Sequence, residues 1–311
     1  MEITRPLQLS IEEETLVDMH SVLNVMNVIT YELLSISPAL GHSARIEALI
    51  DQNSRAASLL REPGQAQTLV GEIDSFIAKF MHDLRGAAAA AGKEEDPNFL
   101  QSFANIESIF NILEIRAAEI EARLGDPMAW VRHDIHKLKK NFVNLFEAIK
   151  KNSKGGYSIV HNIAEHEAGD YFVSFEINSP SNQFVLMPAV FQDVIRDLIA
   201  NGRKYTPPGG RIIAGLSENK ERLRLVVSDT GIGIPPDEIE QVVQFEVRGS
   251  NVKGRPTRGG GFGLTKAYYV TRKFGGRLWI DSTGVPGEGT RVEITIPLPE
   301  VVNALRRQVF A

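Results

Sequence analysis

Apolar residues recur every three or four positions from about Ser10 to Lys151, which is the spacing of one buried face of an α-helix. Glycine and proline interrupt this pattern at positions 38–41, 63–64, 92–97 and 125–127. Ser10 followed by Glu13 resembles a capping box, and Asp96 and Asp126 each stand before a proline, as N-cap residues do. The pattern predicts about five helices in this part of the chain.

A different pattern begins after Gly155 and Gly156, where short runs of β-branched and aromatic residues alternate with turn residues. It predicts strands at 157–163, 171–177, 211–216 and 222–228, helices at 188–204 and 265–274, and a closing hairpin of 277–280 with 291–296. The predicted fold class is α+β. Its expected domains are an all-helical region over residues 1–155, an α/β region over 156–300 and a C-terminal tail over 301–311.

Composition narrows the classes of function. The chain has 311 residues, 43% of them hydrophobic, which suggests about two domains with ordinary cores. A net charge of −5 gives no overall positive field, so no nucleic-acid partner is predicted. The absence of cysteine excludes disulfides, thiolate metal sites and cysteine nucleophiles, and favours the cytoplasm. No export signal and no apolar run of membrane-spanning length is visible, so no membrane span is expected.

The most informative motif reads Asp-Thr-Gly-Ile-Gly-Ile-Pro from Asp229 to Pro235, directly after a predicted strand. A carboxylate at a strand end can accept a hydrogen bond from the amino group of adenine. Gly231 and Gly233 would let the backbone approach the base closely. Taken alone, the motif is equally compatible with an ordinary turn.

Two further motifs support a nucleotide site. Residues 259–264 read Gly-Gly-Gly-Phe-Gly-Leu and lead into a predicted helix, and glycines at a helix start free backbone N–H groups to hold phosphate oxygens. On the helix predicted at 188–204, Asp197 and Asn201 are four residues apart and share one face. An amide oxygen at Asn201 could hold Mg²⁺, which uses few protein ligands.

Together these segments resemble the N, G1 and G2 boxes of the GHKL family of ATP-binding domains, which includes histidine kinases, gyrase, the Hsp90 chaperones and MutL. Gly287 to Thr290 resembles the last glycine box, and Gln244-Phe245 with Arg248 resembles the F box. The resemblance covers roughly residues 157–298 in the family's order. It implies an α/β sandwich of the Bergerat type that binds ATP and Mg²⁺.

The resemblance also implies roles for individual residues. Asp229 would bind adenine, Asn201 would hold Mg²⁺, and Lys204 and Tyr205 would approach the phosphates or the ribose. The residues expected to shape the base pocket are Gly231, Gly233 and Thr290. The residues expected to wrap the triphosphate are Gly259, Gly261, Phe262, Gly263 and Leu264. The segment before the glycine run is expected to form a lid over the triphosphate, where a cation could meet the γ-phosphate. Its cations are Arg248, Lys253, Arg255 and Arg258, and for each of them a role as a solvated surface residue is equally open.

The sequence departs from the kinase pattern at two positions. Gly202 stands where alanine is common, which should loosen the helix slightly. Asp197 stands where histidine kinases often have asparagine. A carboxylate four residues before the Mg²⁺-binding asparagine is the arrangement by which gyrase-like members activate water, so plain ATP hydrolysis stays open.

A histidine kinase needs a phosphoacceptor histidine on a helical dimerisation domain. His20 is the first choice, because His20, Asn24, Asn27 and Tyr31 form one polar stripe on an otherwise apolar helix. The run resembles the acceptor box of the citrate and fumarate sensor kinases. The usual acidic neighbour is absent, since Ser21 follows the histidine.

His82 is the alternative phosphoacceptor. His82-Asp83-Leu84-Arg85 matches the commoner His-Glu-Leu-Arg box and supplies the acidic residue, although its helix is predicted to end near Gly92. His133 and His136 are predicted on a helix directly before the ATP-binding domain, and His42 follows a helix break. It also stays open that none of these histidines is phosphorylated.

These features predict a soluble, homodimeric sensor histidine kinase. It would bind ATP and Mg²⁺, autophosphorylate on His20 or His82, with Asn24 and Asp197 assisting, and pass the phosphoryl group to a response regulator. The dimer is expected because the helices are too apolar to stand alone. Two alternatives are an ATPase or conformational clamp without phosphohistidine and a scaffold kinase that sequesters a protein partner.

Overall fold

The computed structural model describes residues 1–152, 158–167, 169–252 and 261–300. The chain divides into two compact units, Gln8–Asp126 and Met1–Leu7 with Pro127–Ala311. The division comes earlier than the expected boundary at 155/156, because the first helix after residue 134 packs into the core of the sheet-containing unit. The α+β class, with a helical region followed by an α/β domain, is confirmed.

The first unit, Gln8–Asp126, is all helical. Its helices are α1 (Ile11–Ile36), α2 (Ala44–Leu59), α3 (Gln65–Gly71), α4 (Ile73–Ala90) and α5 (Pro97–Leu124). The capping box at the start of α1 is confirmed, since Ser10 Oγ accepts from the backbone N–H of Glu13 at 3.2 Å and Glu13 Oε2 accepts from Ser10 N at 2.7 Å. Asp96 caps α5 as expected. The N-cap predicted at Asp126 is wrong, because a turn follows α5 instead of a helix.

The core of this unit lies on the face of α1 that packs against α5 and α2. Val22, Met26, Ile29 and Leu33 follow helical spacing and are all fully buried. Buried Asn53 of α2 donates to Met26 O at 2.8 Å, which satisfies part of its amide inside the core. The five helices therefore share one core, while Leu34 of α1 and Leu100 and Ile115 of α5 stay exposed. None of the helices in the described part of the chain is long and apolar enough to cross a membrane.

The second unit contains a six-stranded mixed sheet in the order β2-β3-β5-β6-β8-β7. Its strands are β2 (Ile159–Val160), β3 (Tyr171–Asn178), β5 (Arg211–Glu218), β6 (Arg222–Asp229), β7 (Arg277–Ser282) and β8 (Thr290–Pro297). Three helices pack into the core of this unit: α6 (Ile135–Asn152), α7 (Phe191–Tyr205) and α8 (Phe262–Lys273). Side chains on β3 alternate between buried and more exposed positions, so one face of the sheet forms the core with the helices.

A separate antiparallel pair joins β1 (Trp130–Asp134) to β4 (Phe184–Pro188). The sequence predicted a helix at this place, and that prediction is wrong for His133, which lies in β1 opposite Val185. The partner strand is about 50 residues away in sequence, so local periodicity could not reveal the pairing. The helix begins only at Ile135, where Asp134 Oδ1 accepts from the N–H of Lys137 at 2.7 Å.

The first residues of the chain extend the β7 edge of the six-stranded sheet. Ile3 N donates to Leu278 O at 2.9 Å and Ile280 N donates to Met1 O at 2.9 Å. The Ile3 side chain is 2% exposed and belongs to the core of this unit. The segment before α1 is therefore part of the sheet-containing unit, although it was assigned to the helical region from sequence.

Ile3→Ala is expected to lower the free energy of unfolding of the sheet-containing unit by about 2 kcal/mol, because it removes a buried side chain and leaves a cavity. Both tryptophans, Trp130 and Trp279, lie in this unit, so urea unfolding followed by tryptophan fluorescence measures its stability. Thr4→Ala is the matched control, since Thr4 is exposed. Equal unfolding midpoints for the two variants would contradict the role of Ile3.

Candidate nucleotide-binding site

The three segments predicted to form one site meet at a single pocket in the sheet-containing unit. Asn201 and Tyr205 of α7, Asp229 at the end of β6, and Gly261 before α8 all line its wall. The other predicted site residues in the wall are Gly233, Arg248, Leu264 and Thr290. The structure thus brings together motifs that are about 60 residues apart in sequence, while their individual roles stay predictions.

The turn after β6 holds Asp229 in a fixed position. Asp229 Oδ1 accepts from Gly231 N at 2.8 Å and from Thr290 N at 3.3 Å. Ile232 N donates to Tyr205 O at 3.1 Å, which ties the turn to the end of α7. A Cβ on Gly231 would lie 2.6 Å from Tyr205 O, so only glycine allows this approach. These bonds fix the orientation of the Asp229 carboxylate at the end of β6.

Burial raises the pKa of Asp229 to about 6, against the opposing effect of hydrogen bonds from Gly231, Thr290 and the Thr206 side chain. The carboxylate is therefore ionised at neutral pH but kept in a poorly solvated place. A hydrogen-bond donor on a ligand would compensate for the lost hydration. This is what the amino group of adenine offers.

The last glycine box packs directly against the same turn. A Cβ on Gly289 would lie 1.8 Å from Asp229 O, and Gly289 adopts a φ of 72° that favours glycine. Gly287 N donates to Gly231 O at 2.8 Å. The two glycine motifs therefore pack against each other, and Asp229, Gly233 and Thr290 from them line the pocket.

Helix α8 lies close to α7 at the position of the predicted metal ligand. A Cβ on Gly263 would lie 2.5 Å from Asn201 Nδ2, so the small residue makes room for the amide. Below this contact, buried Lys266 of α8 pairs with buried Asp193 of α7 at 3.0 Å. The two helices that carry the expected metal and phosphate ligands are thus joined by a buried ion pair.

The F box resemblance has a structural counterpart. The rings of Phe245 and Phe262 lie 5.1 Å apart between centroids, and Thr265 Oγ1 donates to Gln244 O at 3.0 Å. Phe262 itself does not line the pocket wall; it anchors the start of α8 to the preceding loop. The expected contact of Phe262 with a ligand stays a prediction.

Lys204 of α7 lies near two other cations, Arg203 and the pocket-lining Arg248. The pKa of Lys204 is lowered to about 8 by burial and by repulsion from Arg248 and Arg203. An anion such as a phosphate would relieve that repulsion. Neither Lys204 nor Gly231 lines the pocket wall, while Arg248 does. The predicted residues Gly259, Lys253, Arg255 and Arg258 lie outside the described residues.

Sequence reasoning missed the apolar part of the wall. Its members are Leu198, Val227, Ile234, Val242, Val247, Val252 and Val292. Strand alternation could have found two of them, since Val227 and Val292 lie two residues from Asp229 and Thr290 on the same strands. An apolar slot beside one carboxylate suits the two faces and the amino edge of a purine ring.

Among the described residues, no group of three or more histidines or carboxylates could hold a metal ion. Mg²⁺ nevertheless needs few protein ligands, because it keeps several waters and binds substrate phosphates. A single amide at Asn201 in the pocket wall fits that requirement. Asp197 does not line the pocket, and its Oδ2 is buried without a hydrogen-bond partner among the described residues.

The candidate phosphoacceptors differ in exposure. His20 is 7% exposed on α1, and its Nε2 lies 3.0 Å from Asn24 Nδ2, as the predicted polar stripe requires. His82 is exposed on α4, and the adjacent Asp83 pairs with Lys79 at 2.6 Å. His133 lies in the other unit, where burial lowers its pKa to about 4.

Comparisons with known proteins agree with the pocket. Residues 188–300 match the family described as histidine kinase-, DNA gyrase B- and HSP90-like ATPase. The signal transduction histidine-protein kinase/phosphatase MprB of Mycolicibacterium vanbaalenii is 38% identical over 259 residues, which cover 81% of this chain and 48% of that protein. The adaptive-response sensory kinase SasA of Synechococcus elongatus is 26% identical over 73% of this chain and 59% of its own length.

The sensor histidine kinase WalK of Bacillus subtilis is 35% identical over 109 residues, which cover 34% of this chain and 18% of WalK. The chain thus spans less than two thirds of each of these relatives. The fold, the order of the motifs and the family match agree that residues 188–300 form an ATP-binding domain of the histidine kinase, gyrase and Hsp90 type. The expected relationship to sensor histidine kinases is confirmed by these similarities.

Proposed function

We propose that this protein is a sensor histidine kinase that transfers the γ-phosphoryl group of ATP to a histidine of its helical unit and then to an aspartate of a response regulator. The main support is the pocket wall, which contains the buried carboxylate of Asp229, the amide of Asn201 and the cation of Arg248. The kinase names of the relatives support the same reaction.

In this proposal Asp229 accepts a hydrogen bond from the adenine amino group, and the apolar wall holds the ring. Asn201 holds Mg²⁺ through its amide oxygen, with Lys204 and Arg248 directed to the phosphates. Bound Mg²⁺ would neutralise charge on the β- and γ-phosphate oxygens. The protein then contributes mainly positioning and charge stabilisation. This is sufficient because the bonds that break and form are those of the transferred phosphoryl group itself.

The two phosphoacceptor candidates place different demands on the helical unit. Transfer to His20 requires that the buried edge of α1 becomes accessible, because the imidazole is 7% exposed. Transfer to His82 requires no such opening, since this side chain is already exposed on α4. His20 stays the first proposal, with Asn24 orienting its ring, and His82 stays the alternative.

Incubation with γ-labelled ATP tests the proposal. Wild type should acquire acid-labile, base-stable label, and His20→Ala should lose it while His82→Ala, His133→Ala and the control His42→Ala keep it. Label that survives in His20→Ala and is lost in His82→Ala would show that the phosphoacceptor is His82 on α4. ATP binding with no label in wild type, at any Mg²⁺ concentration, would contradict the kinase proposal.

One observation favours plain ATP hydrolysis as a second candidate. Asp197 stands four residues before Asn201 on α7, and its buried Oδ2 has no hydrogen-bond partner among the described residues. In that case wild type releases phosphate without forming phosphoprotein, and Asp197→Asn stops the release. Under the kinase proposal, Asp197→Asn keeps autophosphorylation because asparagine can still position neighbouring groups.

Binding of ATP is expected to take up a proton at Lys204. Its pKa of about 8 in the free protein should rise when phosphates offset the repulsion from Arg248 and Arg203. At pH 8 the uptake should approach about half a proton. Calorimetry in two buffers of different ionisation enthalpy measures it, and Lys204→Met is the control that should abolish the difference. A buffer-independent enthalpy in wild type would contradict this expectation.

A homodimer and a cognate response regulator complete the proposal. The sequence argument for the dimer was that the helices are too apolar to stand alone. Much of their apolar surface is buried within one chain, and the exposed Leu34 of α1 and Leu100 and Ile115 of α5 are the apolar surface left for a second copy. Sedimentation of the full chain at several concentrations tests it, with a single monomeric species as the contradicting result.

A further inference from the structure

We propose that Lys266 is a positioning residue for Asn201, the proposed ligand of Mg²⁺. Through its buried ion pair with Asp193, Lys266 holds α8 in a fixed register against α7, and this register sets how much Mg²⁺ contributes to ATP binding. The proposal rests on the proposed function to the extent that Asn201 holds the metal. Lys266 itself does not line the nucleotide pocket, so its effect passes through the two helices.

The ion pair lies inside the sheet-containing unit. The Lys266 side chain is 0% exposed and that of Asp193 is 2% exposed, and Lys266 Nζ donates to Asp193 Oδ2 at 3.0 Å. The other carboxylate oxygen of Asp193 pairs with Arg196, which stands three residues later on α7. Cations therefore engage both oxygens of this carboxylate, and its orientation is fixed.

Stability alone does not account for a pair of this kind. Removing two charges from water is costly, and apolar side chains of similar volume at the same place are often equally or more stable. The neighbouring Val194, Ile195 and Ala267 are buried apolar residues, so the surroundings suit an uncharged contact. An ion pair adds a directional contact, whereas apolar packing tolerates small shifts of one helix along the other. Its consequence therefore lies in the register of α7 and α8.

The pair and the proposed metal ligand lie on the same face of α7. Asp193, Asp197 and Asn201 are spaced four residues apart, so they form one stripe that is about 12 Å long. On α8, Gly263 lies against Asn201, and Lys266 follows one turn later and reaches Asp193. The two helices therefore meet at two points of this stripe, one beside the metal ligand and one about two turns before it.

The spacing at the metal end has little tolerance. A Cβ on Gly263 would lie 2.5 Å from Asn201 Nδ2, so the amide is in close contact with α8. Mg²⁺ requires near-octahedral geometry with ligand distances of about 2.1 Å. A slide of α8 along α7 would displace Asn201 from phosphates held at the start of α8, and a misplacement of about 1 Å can cost about a hundredfold. The ion pair opposes this slide because it fixes the second point of contact.

The adenine end of the pocket has its own supports. Asp229 Oδ1 accepts from Gly231 N and Thr290 N, and the turn after β6 is tied to Tyr205 O by Ile232 N. These hydrogen bonds join β6, β8 and the end of α7 and do not involve α8. Loss of the ion pair should therefore weaken the metal-dependent part of ATP binding and spare the metal-independent part.

Calorimetric titration of the full chain with ATP, with and without Mg²⁺, tests the proposal. Mg²⁺ should raise the affinity of wild type for ATP. In Lys266→Met, which keeps the length of the side chain and removes its charge, this gain should fall about tenfold or more. The affinity without Mg²⁺ should stay unchanged. Lys273→Met, the same change at an exposed lysine of α8, is the matched control and should alter neither affinity.

The double variant Lys266→Met/Asp193→Asn shows whether Lys266 acts through Asp193. Its gain from Mg²⁺ should equal that of Lys266→Met alone, because residues that act as one pair are not additive. Circular dichroism checks the fold of each variant. If Lys266→Met does not fold, the double variant, which leaves neither charge of the pair, replaces it in both titrations.

Three results would overturn the positioning role while leaving the proposed function intact. The first is an unchanged gain from Mg²⁺ in Lys266→Met. The second is an equal loss of affinity with and without Mg²⁺, which is the result expected of a general structural role. The third is a further loss of the gain in the double variant. A wild-type protein that binds ATP no better with Mg²⁺ would instead contradict the proposed function, and the positioning role with it.

Discussion

Asp229→Asn is expected to lower the affinity for ATP by about a hundredfold or more while leaving the protein at least as stable as wild type. The effect on binding follows from the hydrogen bonds of the carboxylate. Asp229 Oδ1 accepts from Gly231 N and Thr290 N, so the oxygen of the new amide should occupy that position. Its NH₂ group then replaces Oδ2 and faces the adenine amino group, donor against donor.

The effect on stability follows from the pKa of Asp229, which burial raises from 3.8 to about 6. A raised carboxyl pKa means that the folded state disfavours the charge, so stability is lost as the pH rises from about 4 to about 6. Above that window the buried charge costs up to about 3 kcal/mol, and asparagine removes this cost. The variant should therefore unfold at a higher temperature than wild type at pH 7.5, and the difference should vanish near pH 4.

Calorimetric titration with ATP and thermal unfolding between pH 4 and 8 measure the two effects in the same samples. Wild-type affinity for ATP should also fall below about pH 6, where Asp229 becomes protonated. Val285→Ala, a change at a side chain that is 49% exposed near the last glycine box, is the control. Loss of stability in Asp229→Asn in parallel with loss of binding would show that the carboxylate has a structural role and would refute the assignment to adenine.

Gly263→Ala should remove the dependence of ATP binding on Mg²⁺ with little change in stability. The new Cβ would lie 2.5 Å from Asn201 Nδ2, closer than real Cβ contacts come. The fold can tolerate it because the end of the Asn201 side chain can move, and alanine in a helix offsets part of the cost by up to about 1 kcal/mol. The moved amide no longer reaches the metal that it is proposed to hold.

Titration with ATP in the presence and absence of Mg²⁺ checks this expectation. Wild type should bind more tightly with the metal, and Gly263→Ala should bind equally in both conditions. Gly86→Ala is the matched control, since Gly86 is also inside a helix and its Cβ would meet no atom closer than 3.9 Å. If Gly263→Ala keeps the dependence of ATP binding on Mg²⁺, the assignment of Asn201 as the metal ligand would be contradicted.

Some of the predictions from sequence succeeded because the signal was local. The capping box at Ser10, the N-cap at Asp96 and the strand before Asp229 depend on residues within a few positions of each other. The prediction at Asp126 failed although its local signal was equally good, because Trp130 to Asp134 pairs with β4 far along the chain. Tertiary pairing overrode the local preference there.

The candidate site was predictable to the extent that its residues have unusual types. Asp229, Gly233 and Asn201 can be recognised in the sequence because their residue types are unusual at those places. They are a carboxylate at a strand end, a glycine in a turn that has a positive φ in the structure, and an amide on a helix face. The valines of the pocket wall do not stand out, since a valine in a strand is ordinary core. The burial of His20 likewise depends on how α1 packs against α2 and α5.

The sequence by itself determined most helices and the strands of the six-stranded sheet, and the order of the nucleotide motifs, because each of these is encoded by neighbouring residues. It did not reveal the pair β1 and β4. Only the tertiary structure decided that Ile3 completes the sheet, that Gly263 makes room for Asn201, and that Lys266 meets Asp193 inside the core. Such contacts join residues from distant parts of the chain. They form when burial of apolar surface outweighs the entropy of closing long loops, and that balance is a property of the whole fold.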